Sequence, residues 1–316
     1  LAAFTHHQER SAEAGIKLIL SSALSSGILL FGLSLIYGST GSIYFDTVGQ
    51  LYANTPMQVL AFIFFFTGMG FKISLVPFHL WTADVYEGSP VNVTSYFSVI
   101  SKGASVFILI MVMFTVFHSI AFLWKDIVYL IAITTMVIGN LFALRQKNMK
   151  RFLAFSSIAQ AGFIMLGILG GNKIGMTATV YFVLVYIFSN LGAFGVVSAI
   201  SARTGKESMD DYDGLYATNP KLSLLMTLSM FSLAGIPPIA GFFGKFFLFT
   251  SAASGGYYWL VFIAVLNATI SLYYYLLVVK AMFINKSDNP IAFFKSDLTT
   301  RVALMIFAIG IFVIGF

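Results

Sequence analysis

Nine long apolar segments fill most of this sequence, and they constrain its fold more than any other feature. Cutting the chain at its polar clusters gives Glu13–Tyr37, Pro56–Val76, Asn92–Phe117, Lys125–Leu144, Phe152–Gly170, Gly175–Ser201, Leu222–Ser251, Tyr257–Phe283 and Leu298–Phe316. A helix of about 20 apolar residues is long enough to cross a bilayer. Backbone groups in lipid must be hydrogen-bonded within their own element, so each segment is predicted to be a helix. The expected fold is an all-α, polytopic membrane protein.

The composition excludes a soluble globular protein. Only 9% of the residues are charged and 59% are hydrophobic, whereas about a quarter of the residues in a soluble domain are charged. The sequence has no cysteine and four histidines, which leaves no thiolate ligands for iron–sulfur clusters and few ligands for haem. We therefore expect no cofactor and no metal in this chain.

The basic residues predict the orientation of the chain in the membrane. Of the 18 lysines and arginines, most lie in the connections and helix ends on the side that holds residues 1–12. Only Lys125 and Lys173 lie on the opposite side. Connections rich in lysine and arginine face the cytoplasm, or the equivalent compartment of an organelle. The longest of these connections, 202–221, is expected to be a solvated loop, with docking against a partner subunit as the alternative.

Three lysines lie within the apolar segments: Lys72, Lys102 and Lys245. A lysine at the centre of a span costs about 2.5–3.5 kcal/mol, and such a residue indicates function by default. The alternative is a side chain that reaches the membrane surface, which is more plausible for Lys72 and Lys102 than for Lys245. The acidic residues all lie outside the span cores, and desolvation favours the neutral amine. These lysines therefore either exchange protons or pair with a carboxylate outside this sequence.

Prolines next to two of these lysines predict interrupted helices. Pro77 follows Lys72 in the second span, and Pro237 and Pro238 precede Lys245 in the seventh. Proline removes a helix hydrogen bond, and discontinuous helices form ion sites in transporters. The alternative is a kink that only serves packing.

The two interrupted spans also suggest an internal repeat. Gly70-Phe71-Lys72 is similar to Gly241-Phe242-Phe243-Gly244-Lys245, five spans later, and an odd number of spans inverts the repeat. We expect one membrane domain, in which 1–117 is the remainder of a first repeat, 118–284 is a second, inverted repeat, and 285–316 adds a C-terminal loop and helix.

Polar residues within the spans could connect the lysines through water. The candidates for such a polar axis are Ser101, Ser156, Gln160 and Asn190. The alternative is that these side chains only bond their own backbone or allow close packing.

Several stretches resemble one known family. The run from Gly70 to Gly88, GFKISLVPFHLWTADVYEG, is similar to the N-type antiporter-like membrane subunit of proton-pumping NADH:quinone oxidoreductase, respiratory complex I. Supporting stretches are Ser101-Lys102, KRFLAFSS from Lys150, LGAFGVV from Leu191, and LAGIP from Leu233 running to Gly244-Lys245-Phe246. Together they cover nearly the whole chain.

The resemblance implies two inverted helical bundles around an axis of lysines and water. Lys102 is then the central proton relay, Lys72 the acceptor coupled to a glutamate outside this sequence, and Lys245 the group that exchanges protons with the far side. It also implies further spans before Leu1, one of them with a glutamate that pairs with Lys72.

The resemblance further implies where the rest of the chemistry takes place. Proton translocation would be coupled to quinone reduction in partner subunits, which hold NADH, FMN, iron–sulfur clusters and quinone, so that this chain is a non-redox part of an enzyme complex. Its expected partners are the lipid bilayer and membrane subunits on either side, not nucleic acid and not a homo-oligomer of its own. The expected location is the bacterial inner membrane, or the mitochondrial inner membrane for an organellar protein.

Two alternatives to this function stay open at the level of sequence. One is a subunit of a related multisubunit cation/proton antiporter, which exchanges ions without NADH. The other is a scaffold whose lysines only hold neighbouring subunits together.

Overall fold

A computed structural model describes residues 1–4, 9–171 and 173–315 of the chain. Its helices are α1 (Glu9–Thr40), α2 (Phe45–Leu51), α3 (Pro56–Ile73), α4 (Leu80–Gly88), α5 (Val91–Tyr96), α6 (Lys102–Thr115), α7 (Ala121–Ala143), α8 (Met149–Leu169), α9 (Lys173–Thr204), α10 (Leu215–Thr218), α11 (Pro220–Ala234), α12 (Ala240–Ser254), α13 (Tyr258–Phe283) and α14 (Leu298–Gly315). A π-helical turn, Phe97–Ser101, joins α5 to α6. The predicted all-α fold is confirmed, and no strand occurs within the described ranges.

The predicted membrane spans are present as helices. Among the residues that the structure describes, eight helical stretches are long and apolar enough to cross a membrane, and α11 is a shorter apolar helix. The seventh predicted segment, Leu222–Ser251, is not one helix but the pair α11 and α12, which are separated at residues 235–239. Counting this pair as one span gives the predicted arrangement of nine crossings.

Both interrupted spans end their first helix in the same way. α3 ends at Ser74 with φ of 66°, where the Ser74 N–H donates to Phe71 O and the Leu75 N–H to Gly70 O at 2.8 Å. This pair of bonds is a Schellman cap, which satisfies the last carbonyls of a helix. Pro77 lies in the connection to α4 and follows a cis peptide bond. The short helix α4 therefore begins separately from α3.

The seventh span repeats this arrangement at the end of α11. Gly235 has a φ of 84°, its N–H donates to Ser232 O at 3.1 Å, and the Ile236 N–H donates to Phe231 O at 3.0 Å. Pro237 and Pro238 follow and are joined by a cis peptide bond. Aligning the caps at Ser74 and Gly235 places Lys72 before one break and Lys245 after the other. The short Gly-Phe-Lys similarity therefore does not align the two breaks.

Helix α8 lies at the centre of the molecule. All residues of an 18-residue apolar stretch of α8 are buried, whereas only 17% of such a stretch of α1 is buried. It packs against α4, α7, α9 and α12. A polar side chain on α8 is therefore surrounded by protein on every side, and this helix can connect groups that the other spans present.

Ion pairs join the helices at the end of the molecule where α1 begins, which we call the basic face. Lys17 Nζ lies 2.6 Å from Asp84 Oδ2, and Arg151 Nη1 lies 2.7 Å from Asp84 Oδ1 and 3.0 Å from Glu87 Oε2. These contacts attach α4 to α1 and α8. Helix α4, which follows the first break, is thus held at the basic face by charge.

The connection between α9 and α11 is packed against this face, so the expectation of a solvated loop is wrong. Tyr212 and Leu215 are fully buried. The Met149 N–H donates to Glu207 O at 2.8 Å, and the Gly214 N–H donates to Ala281 O at 3.0 Å. Backbone hydrogen bonds and two buried apolar side chains therefore hold the segment over the ends of α8 and α13, despite its charges.

Candidate functional site

Lys102 lies deep in the protein at the start of α6, directly after the π-helical turn. Only 2% of it is exposed. Its Nζ donates to Ser157 Oγ at 3.0 Å and to Ser157 O at 3.2 Å, so its partners are on the central helix α8. Single π-helical turns often occur at functional sites, because the extra residue redirects the side chains that follow.

A cluster of hydroxyl and amide groups lies beside Lys102. The Ser98 hydroxyl is 3.0 Å from the Tyr186 hydroxyl, and Asn190 Nδ2 donates to both. The buried Tyr86 hydroxyl faces Ser98 and Ser157 and makes no hydrogen bond within the described part of the chain. Such groups can bind and relay a proton without carrying a permanent charge.

Polar groups continue along α8 from this cluster. Ser156 Oγ lies 2.6 Å from the Tyr275 hydroxyl. Gln160, one turn further along α8 than Ser157, donates through Nε2 to the same hydroxyl at 3.0 Å and to Leu233 O at 3.0 Å. Leu233 belongs to the last turn of α11. Gln160 therefore links the surroundings of Lys102 to the break in the seventh span.

Lys245 lies on the other side of this break. It is 4% exposed, and its Nζ donates to Ala234 O at 2.8 Å. The same Nζ lies 4.9 Å from the centroid of the Phe163 ring. Carbonyls at the C-terminus of a helix lack partners and carry partial negative charge. The break thus supplies an acceptor for a buried amine where no carboxylate is present.

A small cavity lies beside the break in the seventh span. Its polar lining residues are Gln160, Tyr186, Ser189 and Ser232, and the free volume for the centre of a water molecule is about 10 Å³, close to the minimum that one water needs. Ser189 Oγ donates to Ser232 Oγ at 2.6 Å on its wall. The cavity therefore brings polar groups of α8, α9 and α11 together at the break.

Lys72 and Ser101 do not join this hydrogen-bonded network. Lys72 is half-buried near the end of α3, and within the described residues it makes no hydrogen bond or ion pair. Ser101 is half-buried in the π-helical turn, where its carbonyl oxygen accepts a bond from the Ser105 hydroxyl. Of the predicted polar axis, Ser156 and Gln160 share the Tyr275 hydroxyl, and Asn190 bonds Ser98 and Tyr186. Lys102 and Lys245 are held separately, by Ser157 and by Ala234 O.

The described part of the chain pairs none of the three lysines with a carboxylate. Its ion pairs instead involve residues such as Lys17, Arg151 and Arg203 near the helix ends.

Three tyrosines belong to the site that reasoning from sequence did not single out: Tyr86, Tyr186 and Tyr275. Tyrosine is common in membrane helices as an interfacial residue, so its presence alone carried no signal. Tyr186 and Asn190 are four residues apart and therefore share one face of α9, which was a usable signal. The carbonyls of Leu233 and Ala234 have no sequence signature.

The fold and these buried amines define a class of protein: a polytopic, antiporter-like membrane subunit with interrupted helices. The family described as NADH:quinone oxidoreductase/Mrp antiporter, transmembrane, matches residues 1–271. The chain belongs to this family, as a member of its N type. It is 54% identical to NADH-quinone oxidoreductase subunit N of Phocaeicola vulgatus over all of this chain and 67% of that relative.

Two solved structures share the fold. A chain of respiratory complex I from Thermus thermophilus with bound aureothin has a TM-score of 0.83 and 32% identity, covering 98% of this chain and 68% of that one. A chain of the Mrp complex from a Dietzia species has a TM-score of 0.89 but 22% identity, covering 97% of this chain and 65% of that one. The chain thus spans about two thirds of the length of its relatives.

These similarities confirm the predicted family and favour the complex I type over the antiporter alternative. The fold is shared with both complexes, so it does not separate them. Sequence identity separates them, because the chain is 54% identical to the subunit N relative and only 22% identical to the Mrp chain.

Proposed function

We propose that this chain is a proton-translocating membrane subunit of an NADH:quinone oxidoreductase complex. The observation that carries the proposal is the pair of buried amines, Lys102 held by Ser157 on α8 and Lys245 held by Ala234 O at the end of α11, with Gln160 of α8 donating to the neighbouring carbonyl of Leu233. The names of the subunit N relatives supply the complex in which such a subunit works.

Buried lysines of this kind suit proton transfer because burial penalises the charged amine. An amine held only by neutral hydroxyl and carbonyl oxygens gains less from its charge than one paired with a carboxylate. Both protonation states are then accessible, and lysine can be neutral where arginine cannot. Lys102 serves as the central relay, and Lys245 exchanges protons with the far side.

Lys72 completes the proposed axis as the acceptor that is coupled to a glutamate outside this sequence. Its position two residues before the cap of α3 supports this role, because the break brings backbone groups and water close to it. The same proposal includes Ser101 as part of the polar axis and the helix breaks at Pro77, Pro237 and Pro238. It also includes the division of the chain into 1–117, 118–284 and 285–316.

The proposal places all redox chemistry in partner subunits. The sequence contains no cysteine, and cofactor chemistry with NADH, FMN, iron–sulfur clusters and quinone belongs to other chains of the complex. This chain then lies between other membrane subunits, in the inner membrane of a bacterium, and is not itself catalytic in electron transfer.

Replacing Lys102 with methionine tests this function. Methionine keeps the length of the side chain and removes the amine, so that no charge is left buried without a partner. In the assembled complex reconstituted into vesicles, the number of protons moved per electron is expected to fall, while NADH oxidation with an artificial acceptor stays at its normal rate. The control is Lys280→Met, which removes an exposed lysine at the end of α13.

An unchanged proton-to-electron ratio in Lys102→Met would refute the proposal. If Lys102→Met reduces the amount of assembled complex but the complexes that form pump normally, the scaffold alternative is supported instead. Exchange of cations for protons by the chain without NADH would support the antiporter alternative.

A further inference from the structure

A buried ion pair at the basic face has no part in the function described so far. Lys150 is 6% exposed, and its Nζ lies 3.1 Å from Glu207 Oε1 and donates to Ser89 O at 3.3 Å. The Glu207 side chain is 26% exposed and also accepts a hydrogen bond from Ser201 Oγ. The pair therefore has one partner in contact with solution and the other inside the protein.

Lys150 shares a face of α8 with the group that holds Lys102. Ser157 lies seven residues further along the same helix, which is two turns and about 10.5 Å. Arg151, the next residue, points elsewhere and pairs with Asp84 and Glu87. Of these two adjacent cations, only Lys150 is aligned with Ser157 and the Lys102 amine.

Two unpaired hydroxyls lie on α4 and its C-cap, between the ion pair and Lys102. The Ser89 and Tyr86 hydroxyls are buried and have no hydrogen-bond partner within the part of the chain that the structure describes. Ser89 also supplies the carbonyl that Lys150 contacts, and the Tyr86 hydroxyl faces Ser157. Buried polar groups without protein partners commonly bind internal water.

We propose that Lys150 and Glu207 form the proton-uptake site for Lys102 at the basic face, with the Ser89 and Tyr86 hydroxyls as the connection. This inference rests on the proposed function and adds the residues that supply its central relay.

The proton balance of the step is simple. A proton from solution binds the Glu207 carboxylate, and the Lys150 ammonium releases one proton inward toward Ser89 and Tyr86. Glu207 then returns its proton to the neutral Lys150 amine. One proton has moved from solution toward Lys102, and the ion pair is restored without any other reactant.

The test compares two carboxylates of the same segment. Glu207→Gln keeps an oxygen that accepts from Lys150 and Ser201 but cannot carry a proton. Asp210→Asn is the matched control, because Asp210 lies three residues later and pairs with the exposed Lys147 at 3.8 Å. Both variants are prepared in the whole complex, and the proton-to-electron ratio is measured in vesicles beside that of Lys102→Met.

The expected result is that Glu207→Gln lowers the ratio to the value of Lys102→Met, while Asp210→Asn keeps the normal ratio. A normal ratio in Glu207→Gln, with a lowered ratio in Lys102→Met, overturns this inference and leaves the proposed function standing. An equal loss in Glu207→Gln and Asp210→Asn also overturns it, because the segment then matters only as a whole. A normal ratio in Lys102→Met overturns the proposed function and this inference with it.

If Glu207→Gln does not assemble, Tyr86→Phe decides the question. Phenylalanine keeps the buried ring and removes only the hydroxyl that faces Ser98 and Ser157. A ratio lowered to the Lys102→Met value supports the connection through Tyr86, and a normal ratio overturns it.

Discussion

Gln160 lies on α8 between Ser157, which holds Lys102, and the break in the seventh span that precedes Lys245, and replacing it with leucine isolates the contribution of this polar side chain. Its amide donates to Leu233 O at 3.0 Å and to the Tyr275 hydroxyl at 3.0 Å. Leucine has a similar volume and can make neither bond. The substitution therefore removes the polar connection while leaving the apolar packing of α8 nearly unchanged.

The expected magnitude follows from these two bonds. Each contributes about 1 kcal/mol net, so their joint loss is about 2 kcal/mol. That energy corresponds to roughly a 30-fold change in an equilibrium constant. We expect Gln160→Leu to shift the folding equilibrium toward the unfolded state by about this factor. Because leucine offers no polar group at this point of α8, we also expect the proton-to-electron ratio to fall close to that of Lys102→Met.

The assay measures vesicle acidification and NADH oxidation in the same preparation. The control is Gln146→Leu, since Gln146 makes a single exposed hydrogen bond, to Phe142 O, before α8 begins. Normal coupling in Gln160→Leu, together with the expected loss of stability, would show that protons do not pass this residue and would refute the reasoning.

Three further predictions concern the break, the second amine and the basic face. Gly235→Ala should destabilise the protein by about 1–2 kcal/mol, because φ is 84° there and the added Cβ would lie 3.0 Å from Lys245 Cδ; thermal melting measures this, with Gly27→Ala as the control because nothing lies within 4 Å of its Cβ. Lys245→Met should lower the proton-to-electron ratio as Lys102→Met does, and a normal ratio would remove Lys245 from the axis. Burial alone would raise the pKa of the Asp84 carboxyl, but hydrogen bonds from Lys17 and Arg151 hold it below its usual value. The ion pairs of Asp84 therefore stabilise the protein above about pH 4, and this stabilisation is lost as pH falls through the lowered pKa. It amounts to about 1 kcal/mol or less at this half-exposed site. Asp84→Asn should abolish it in melting curves recorded against pH, and an unchanged pH dependence in this variant would contradict the assignment.

The membrane fold could be predicted from sequence because its main determinant is local. A run of apolar residues long enough to span lipid has to be a helix, so the nine segments were found without any tertiary information. The interruption of Leu222–Ser251 was predicted in the same local way, because Pro237 and Pro238 cannot continue a helix, and the structure confirms it as α11 and α12.

The site could be predicted only in part. Lys102 and Lys245 stood out because a charge in an apolar span is costly, whatever surrounds it. The groups around them could not be identified in this way. The partner of Lys245 is the backbone carbonyl of Ala234, and Tyr275 reaches Gln160 from a helix more than 100 residues away in sequence. The packed segment around Tyr212 was missed because its charges suggested a solvated loop, while its burial depends on contacts with α13.

The central claim is that Lys102 works by gaining and losing a proton, and Lys102→Arg tests it most directly. Arginine keeps the positive charge at this position but stays protonated at any accessible pH. The measurement is the proton-to-electron ratio of the reconstituted complex carrying this variant, with electron transfer recorded in the same vesicles. The account predicts a ratio as low as that of Lys102→Met with electron transfer preserved. A normal ratio would show that a fixed charge is sufficient at this position and would contradict a relay through Lys102.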